Sequence, residues 1–273
     1  MILATIAAVA TLTVRGDRLY VQARINGVAT EAVLDSAAEA TIVDDQFASR
    51  IGAGQGRAVT ARGSGGEAKA QLIDDVSIDA IGVKLTGQTI AVIDLDDIGK
   101  RLFGQRLTAI VGRELFDAAR LAIDVEGGAI SATPRTRRPQ GVRLPLKPHR
   151  GIETVPIVIE GQRAQAEFDL GNGSDMLISK GFAERTGLLG RAGGKERGGG
   201  IGGQVERKLI TLRSVRVAGV TFRQVRAAID DQPSAADANI GVKLLRRFKI
   251  VSDFPQKAVW LQPRTASPGV PNG

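Results

Sequence analysis

Two stretches decide how this chain is read: Ala32-Val33-Leu34-Asp35-Ser36-Ala37-Ala38-Glu39-Ala40-Thr41-Ile42-Val43, and Ala166-Glu167-Phe168-Asp169-Leu170-Gly171-Asn172-Gly173-Ser174-Asp175-Met176-Leu177-Ile178-Ser179. In each, an apolar run enters an aspartate, small residues follow, and a second apolar run leaves. That pattern presents a carboxylate on a tight turn at the end of a strand, partly withdrawn from water. Two such turns placed face to face share a proton, because like charges at close range do not both ionise cheaply. A pair of that kind can hold a water, take its proton with one carboxylate and protonate a carbonyl oxygen with the other.

The surroundings of the two stretches repeat as well. At one constant spacing Val21 meets Val155, Gly27 meets Gly161 and Asp35 meets Asp169. After a one-residue insertion in the second copy, Phe47-Ala48 meets Phe182-Ala183 and Arg50 meets Arg185. Gly66 and Gly82 then meet Gly203 and Gly219, Ile110-Val111-Gly112 meets Asn239-Ile240-Gly241, and Asp124 meets Asp253. The order is kept throughout, which marks a tandem duplication of a domain rather than a short-period solenoid.

Each copy reads mostly as strands. Tyr20–Ile25 alternates, Asn26-Gly27 signals a hairpin turn and Glu31–Leu34 runs back; Glu160-Gly161 serves the second copy in the same way. Residues 45–51 and 180–186 suggest a helical turn or two, as do 115–119 and 243–247. Strands resume near 76–78, 89–93, 209–212 and 225–229, and hairpins close each copy at 121–131 and 249–262. The expectation is an all-β architecture with short helices, not an alternating βαβ chain.

Composition narrows the chemistry. The 273 residues include no cysteine and one histidine, His149. Disulfides, cysteine-ligated metals, thiolate nucleophiles and multi-histidine sites are therefore excluded, and carboxylates are left as the acid–base groups. His149, between Pro148 and Arg150, supports no Ser-His-Asp arrangement. The formal net charge is +8, of which 6 come from Arg135–Arg150, a run with six basic residues, no acid and three prolines. It lacks the interleaved aromatics of a nucleic-acid surface and reads as a solvated linker, so no nucleic-acid partner is expected. No apolar run reaches the roughly 18 residues of a membrane span. Met1–Ala10 reads either as the remnant of a signal peptide, which would place the protein in the periplasm or outside the cell, or as a first strand.

On these residues the chain resembles the bacterial retropepsin-like aspartic proteases that carry two tandem lobes in one chain, within the wider pepsin/retropepsin-like family. The likeness rests on the lead RINGVATEAVLD, the turns at 35–38 and 169–174, a glycine-rich stretch in each copy and the closing patterns Ile110-Val111-Gly112 and Ile240-Gly241. It spans roughly residues 12–132 and 143–263. It implies two β-barrel lobes, at 1–133 and 151–263, with a linker at 134–150 and a disordered tail at 264–273. It implies a monomer with intramolecular lobe pairing, a peptide or protein substrate, and no metal or other cofactor. The catalytic pair would be Asp35 and Asp169, with Ser36, Ala37, Gly171 and Asn172 shaping the turns. Gly65, Gly66, Gly202 and Gly203 would be tips of flaps over the cleft.

The departures are specific. The family's turn is Asp-Thr/Ser-Gly-Ala, whose hydroxyl bonds across the pair and whose glycine lets the backbone pass close to the carboxylates. The first copy keeps Ser36 but has Ala37 for glycine; the second keeps Gly171 but has Leu170 for the hydroxyl, leaving Asn172 as a polar stand-in. Either an aspartic endopeptidase or a catalytically degenerate, peptide-binding protein of the same fold is consistent with these turns. Gly198–Gly203 formally satisfies G-x-G-x-x-G, but it follows the polar run Arg191–Arg197 and leads into a β-like segment, Arg207–Val217, where a dinucleotide fingerprint opens a helix, so a flap tip is the better reading. Asp94–Gly99 starts like a calcium loop and fails at its later positions. Asp124 and Asp253 read as turn caps, and Glu39 and Asp175 as rim residues.

Overall fold

The computed structural model describes residues 9–232 and 235–264. Most of the apolar start and nearly all of the segment read as a tail lie outside the described residues. Ala10–Thr11 forms a strand, and Arg264 is held in an ion pair with Asp124.

The fold is all-β with short helices, and each half builds the same eight-stranded sheet. In the first half the order across the sheet is Thr13–Arg15, Arg18–Ile25, Val28–Leu34, Ala109–Val111, Ile42–Val43, Val83–Val92, Gly66–Ala80 and Arg57–Gly63. In the second it is Lys147–His149, Ile152–Ile159, Gln162–Phe168, Ala238–Ile240, Met176–Ser179, Val220–Asp230, Val205–Val217 and Lys195–Gly198. Matching extra pairings, Ile25 with Ile78 and Ile159 with Val215, curl each sheet back onto its second strand. That gives each lobe a barrel whose interior is lined by the alternate residues Leu19, Val21, Ala23 and Ile25 and their counterparts.

Local chemistry sets the first hairpins. Asn26 and Gly27 both have positive φ, as do Glu160 and Gly161, so each pair makes the turn whose twist suits a two-residue connection. Four helices fall at Asp45–Arg50, Arg113–Ala118, Lys180–Arg185 and Val242–Leu245, close to where the sequence places them, and a short one, Asp96–Ile98, falls where the sequence suggests a loop. The long hairpins are where the sequence reading falls short. Gly66–Ala80, Val83–Val92, Val205–Val217 and Val220–Asp230 extend well beyond the apolar stretches expected to form strands. Along them exposed charged and polar residues alternate with partly buried apolar ones such as Val83, Leu85, Val220, Phe222 and Val225, which pack against the core.

A third, six-stranded sheet joins the halves. Leu121–Asp124 pairs antiparallel with Phe248–Asp253, with Ile123 opposite Ile250, and the closing hairpin of each half flanks that seam. The basic segment read as a solvated linker is not a free strand of chain. Val142–Pro145 pairs with Ala258–Pro263 and Lys147–His149 with Ile152–Ile159. Both are edge strands, a sheet position that tolerates Pro145 and Pro148. Arg135 from the same segment, together with Arg120, binds the fully buried Asp253 at 2.9 Å each. Asp253 is therefore the anchor of an interlobe ion pair and not a turn cap. Asp124 does cap, accepting from the Gly127 N–H at 2.8 Å. No helix among the described residues is long and apolar enough to cross a membrane.

Candidate active site

Each aspartate is delivered by the same device. Val28–Leu34 runs parallel to Ala109–Val111, and the Asp35 N–H continues the ladder to the Val111 carbonyl at 3.0 Å. Gln162–Phe168 runs parallel to Ala238–Ile240, and the Asp169 N–H reaches the Ile240 carbonyl at 3.1 Å. The chain then turns back over the carboxylate. Asp35 Oδ1 accepts from the N–H groups of Ala37 (2.8 Å) and Ala38 (3.1 Å). Asp169 Oδ1 accepts from those of Gly171 and Asn172, both at 2.9 Å. Backbone dipoles thus hold one oxygen of each acid and leave the other for different partners.

The turns meet across the lobes. Ser36 Oγ donates to the Phe168 carbonyl at 2.7 Å and accepts from the Leu170 N–H at 2.9 Å. The reciprocal arm does not exist, because Leu170 offers only a fully buried alkyl chain. Asn172 does not replace it. Its amide stays within its own lobe, donating to Asn239 Oδ1 at 2.8 Å and to the Asp175 carbonyl at 3.4 Å, because the turn points it away from the Ser36 side. Gly171 lies against the Asp35 carboxylate: a Cβ there would fall 2.2 Å from Asp35 Cγ. Any side chain at 171 would have to displace the acid. Ala37 holds the equivalent place in the other turn.

Electrostatics follow from this closeness. Burial, and then the charge of Asp169, push the Asp35 carboxyl up to about 7, against the pull of the Ala37 and Ala38 N–H groups and Arg18. Burial raises Asp169 too, opposed by Asn239, the two turn N–H groups and Arg18. Both residues nonetheless keep partial exposure.

Two nearby residues escaped the sequence reading. Arg18 is buried, donates to the Gly171 carbonyl and to Ser174 Oγ (3.2 Å), and lies 5.1 Å from the centre of the Phe103 ring. Burial lowers its own pKa, opposed by the charges of Asp169 and Asp35. Nothing in the sequence marks it. Asn239 donates to Asp169 Oδ2 at 2.7 Å and to Glu167 Oε2 at 3.0 Å. Its signal was visible: it is the polar residue aligned with Ile110.

The two glycine loops touch each other. The Gly65 N–H donates to the Ile201 carbonyl at 3.0 Å. A Cβ on Gly65 would sit 2.1 Å from the Gly203 carbonyl oxygen, and one on Gly202 would sit 2.3 Å from the Gly66 backbone, so the tips interleave main chain to main chain. Arginines fasten them crosswise. Arg101, from the π-helical turn Gly99–Phe103 of the first lobe, donates to the Gly199 and Gly200 carbonyls at 3.3 and 3.1 Å. Arg207 of the second lobe donates to the Ser64 carbonyl at 2.8 Å. Of the rim candidates, Asp175 is paired with Arg226 and Lys243, and Glu39 lies against Gly151. Near the calcium-like loop, oxygens of Asp44, Asp94 and Asp96 converge, and Asp44 there is already bound by Arg106 at 2.9 Å.

Two duplicated barrels, each presenting one aspartate turn to the other, define the acid-protease class of fold. The chain belongs to the aspartyl protease family, whose pattern matches residues 21–115 and again 155–244. Among solved structures, a retropepsin-like aspartic protease from Rickettsia conorii is 20% identical, with 44% of this chain and 87% of that one covered and a TM-score of 0.34. No curated protein matches the chain.

Proposed function

We propose that the chain is an aspartic endopeptidase in which Asp35 and Asp169 activate a water between the lobes. The observation that carries this reading is the packing of Gly171 directly on the Asp35 carboxylate, with each acid's Oδ1 held by its own turn. One proton shared by the pair gives a base and an acid at the same pH. The ionised carboxylate takes a proton from water as its oxygen bonds to the scissile carbonyl carbon. The protonated one gives its proton to the carbonyl oxygen. The carboxyl that took the proton from water then gives it to the amide nitrogen while the other carboxylate takes a hydroxyl proton back from the diol, and the carbon–nitrogen bond breaks as the carbonyl reforms.

The reading includes lobes at 1–133 and 151–263 working as one intramolecular pair on a peptide or protein, with the hairpins around Gly65, Gly66, Gly202 and Gly203 opening to admit it. The missing second hydroxyl at Leu170 favours, as the alternative, a peptide-binding protein without turnover. Hydrolysis of a mixed peptide library between pH 3 and 8 separates the two. Cleavage abolished by Asp35→Asn and by Asp169→Asn is expected; cleavage that survives either change, or is absent from the unaltered protein, overturns the protease.

A further inference from the structure

The lobes are built alike, yet the walls beside the two aspartates differ. In the first lobe Val33 pairs with Ile110; in the second, the same register pairs Glu167 with Asn239. One lobe therefore flanks its acid with two alkyl side chains and the other with a carboxyl and an amide.

The direction of the Asn239 amide follows from its neighbours. The Ser174 N–H can only donate, and it meets Asn172 Oδ1 at 2.8 Å. Asn172 Nδ2 must then face Asn239, whose Oδ1 receives it at 2.8 Å. This turns Asn239 Nδ2 toward Asp169 Oδ2 (2.7 Å) and Glu167 Oε2 (3.0 Å). A main-chain donor thus dictates, through two amides, that an N–H and not a carbonyl meets the carboxylate. Among the described residues, the donors to Asp35 are the turn N–H groups of Ala37 and Ala38, both on one oxygen.

We propose that Asn239 breaks the symmetry of the pair, holding the negative charge on Asp169 and the shared proton on Asp35, with Glu167 as a counterweight drawing on the same amide. A donor to a carboxylate favours its ionised form, whereas a neighbouring carboxylate opposes it. The other charged groups facing this cluster are Asp35 and Arg18 on the first-lobe side and Asp230 beside Glu167. Asp230 is in turn paired with Arg207 at 3.5 Å. Burial raises Glu167, the Asn239 donation opposes this, and the charge of Asp169 adds to it. Asn239 and Glu167 are positioning residues. The consequence that Asp169 is the base toward water and Asp35 the acid toward the carbonyl rests on the proposed endopeptidase activity.

The test is a carboxyl carbon-13 NMR titration of the full chain without substrate, in the unaltered protein, in Asn239→Ile and in Glu167→Gln, with thermal melts confirming that each is folded. Between the two ionisations of the pair, the Asp169 carbon is expected at its ionised position and the Asp35 carbon at its protonated one. Asn239→Ile, which installs the residue type of Ile110, should spread the charge onto Asp35 and move the first ionisation to higher pH. Glu167→Gln keeps an oxygen for the amide but removes a charge, so the first ionisation should move to lower pH. Charge residing on Asp35 in the unaltered protein overturns the assignment, as does an unmoved step in the near-isosteric Glu167→Gln or a shift of both variants in the same direction. The titration does not depend on turnover. A chain that cleaves nothing can still satisfy it, and an active protease can still fail it.

Discussion

Ser36 bonds in both directions across the lobes, giving its proton to the Phe168 carbonyl and accepting from the Leu170 N–H. One hydroxyl therefore ties the main chain on both sides of Asp169 to the first lobe, with nothing equivalent returning from Leu170. A symmetric pair of hydroxyls would share this task; here Ser36 is the one hydroxyl that performs it, beside the Arg18 bond to the Gly171 carbonyl.

Replacing Ser36 by alanine leaves a carbonyl and an N–H without partners in a buried place, which costs roughly 1–3 kcal/mol. The melting temperature of Ser36→Ala should fall accordingly, and peptide hydrolysis with it, because the two turns lose their mutual registration. A Ser36→Thr variant should retain both. Equal stability of Ser36→Ala and the parent would show that the latch is energetically idle.

The pair makes stability and activity depend on pH in a defined direction. Asp35 is raised from 3.8 to about 7, so the folded protein binds more protons than the unfolded chain between those values. Stability from this group is fully present below the unfolded value and declines as pH rises through about 7. Chemical denaturation from pH 4 to 8 should show that decline, and Asp35→Asn should flatten it. Hydrolysis needs the shared proton, so its alkaline limb should fall in the same range as that decline.

Asp253 works with the opposite sign. Burial would raise it, but hydrogen bonds from Arg135 and Arg120 prevail and hold it below the usual carboxylate range. Its contribution is present above the unfolded value and lost as pH falls through the folded one. Asp253→Asn strips the charge partner from two arginines at the interlobe seam and should cost roughly 3–5 kcal/mol in urea denaturation. An effect below about 1 kcal/mol would mean that the pair contributes only as a surface salt bridge does.

The crossed flaps invite a direct measurement. Gly202→Ala places a methyl on the Gly66 backbone and forces a side chain into a φ of +91°, so the tips must separate. Amide exchange at Gly65, whose N–H is bound to the Ile201 carbonyl, should accelerate markedly. Arg101→Ala should do the same at lower cost to folding, since it frees two carbonyls without a clash. Unchanged Gly65 exchange in both variants would show that the tip contact is not what holds the flaps down.

The sequence by itself determined the duplication, the all-β class and the pair of aspartates, because those features are local. An apolar strand running into a carboxylate, and a turn residue able to take positive φ at Asn26-Gly27, state their requirement within a few residues. The long hairpins were cut short because their apolar alternation is interrupted part-way, at Asp75 and Gln224, both of which take positive φ. The role of Arg135 was missed because a basic residue in a proline-rich segment looks solvated until Asp253 is brought beneath it. Arg18 was invisible for the same reason: its meaning depends on Gly171 and Ser174, more than 150 positions away in the chain. Only the tertiary structure decided that Asn172 serves Asn239 rather than the opposite lobe, and that Glu167 and Asn239 stand where Val33 and Ile110 stand in the first half. Hydrogen-bond direction is a property of atoms brought within 3 Å by packing, and no spacing along the chain encodes it.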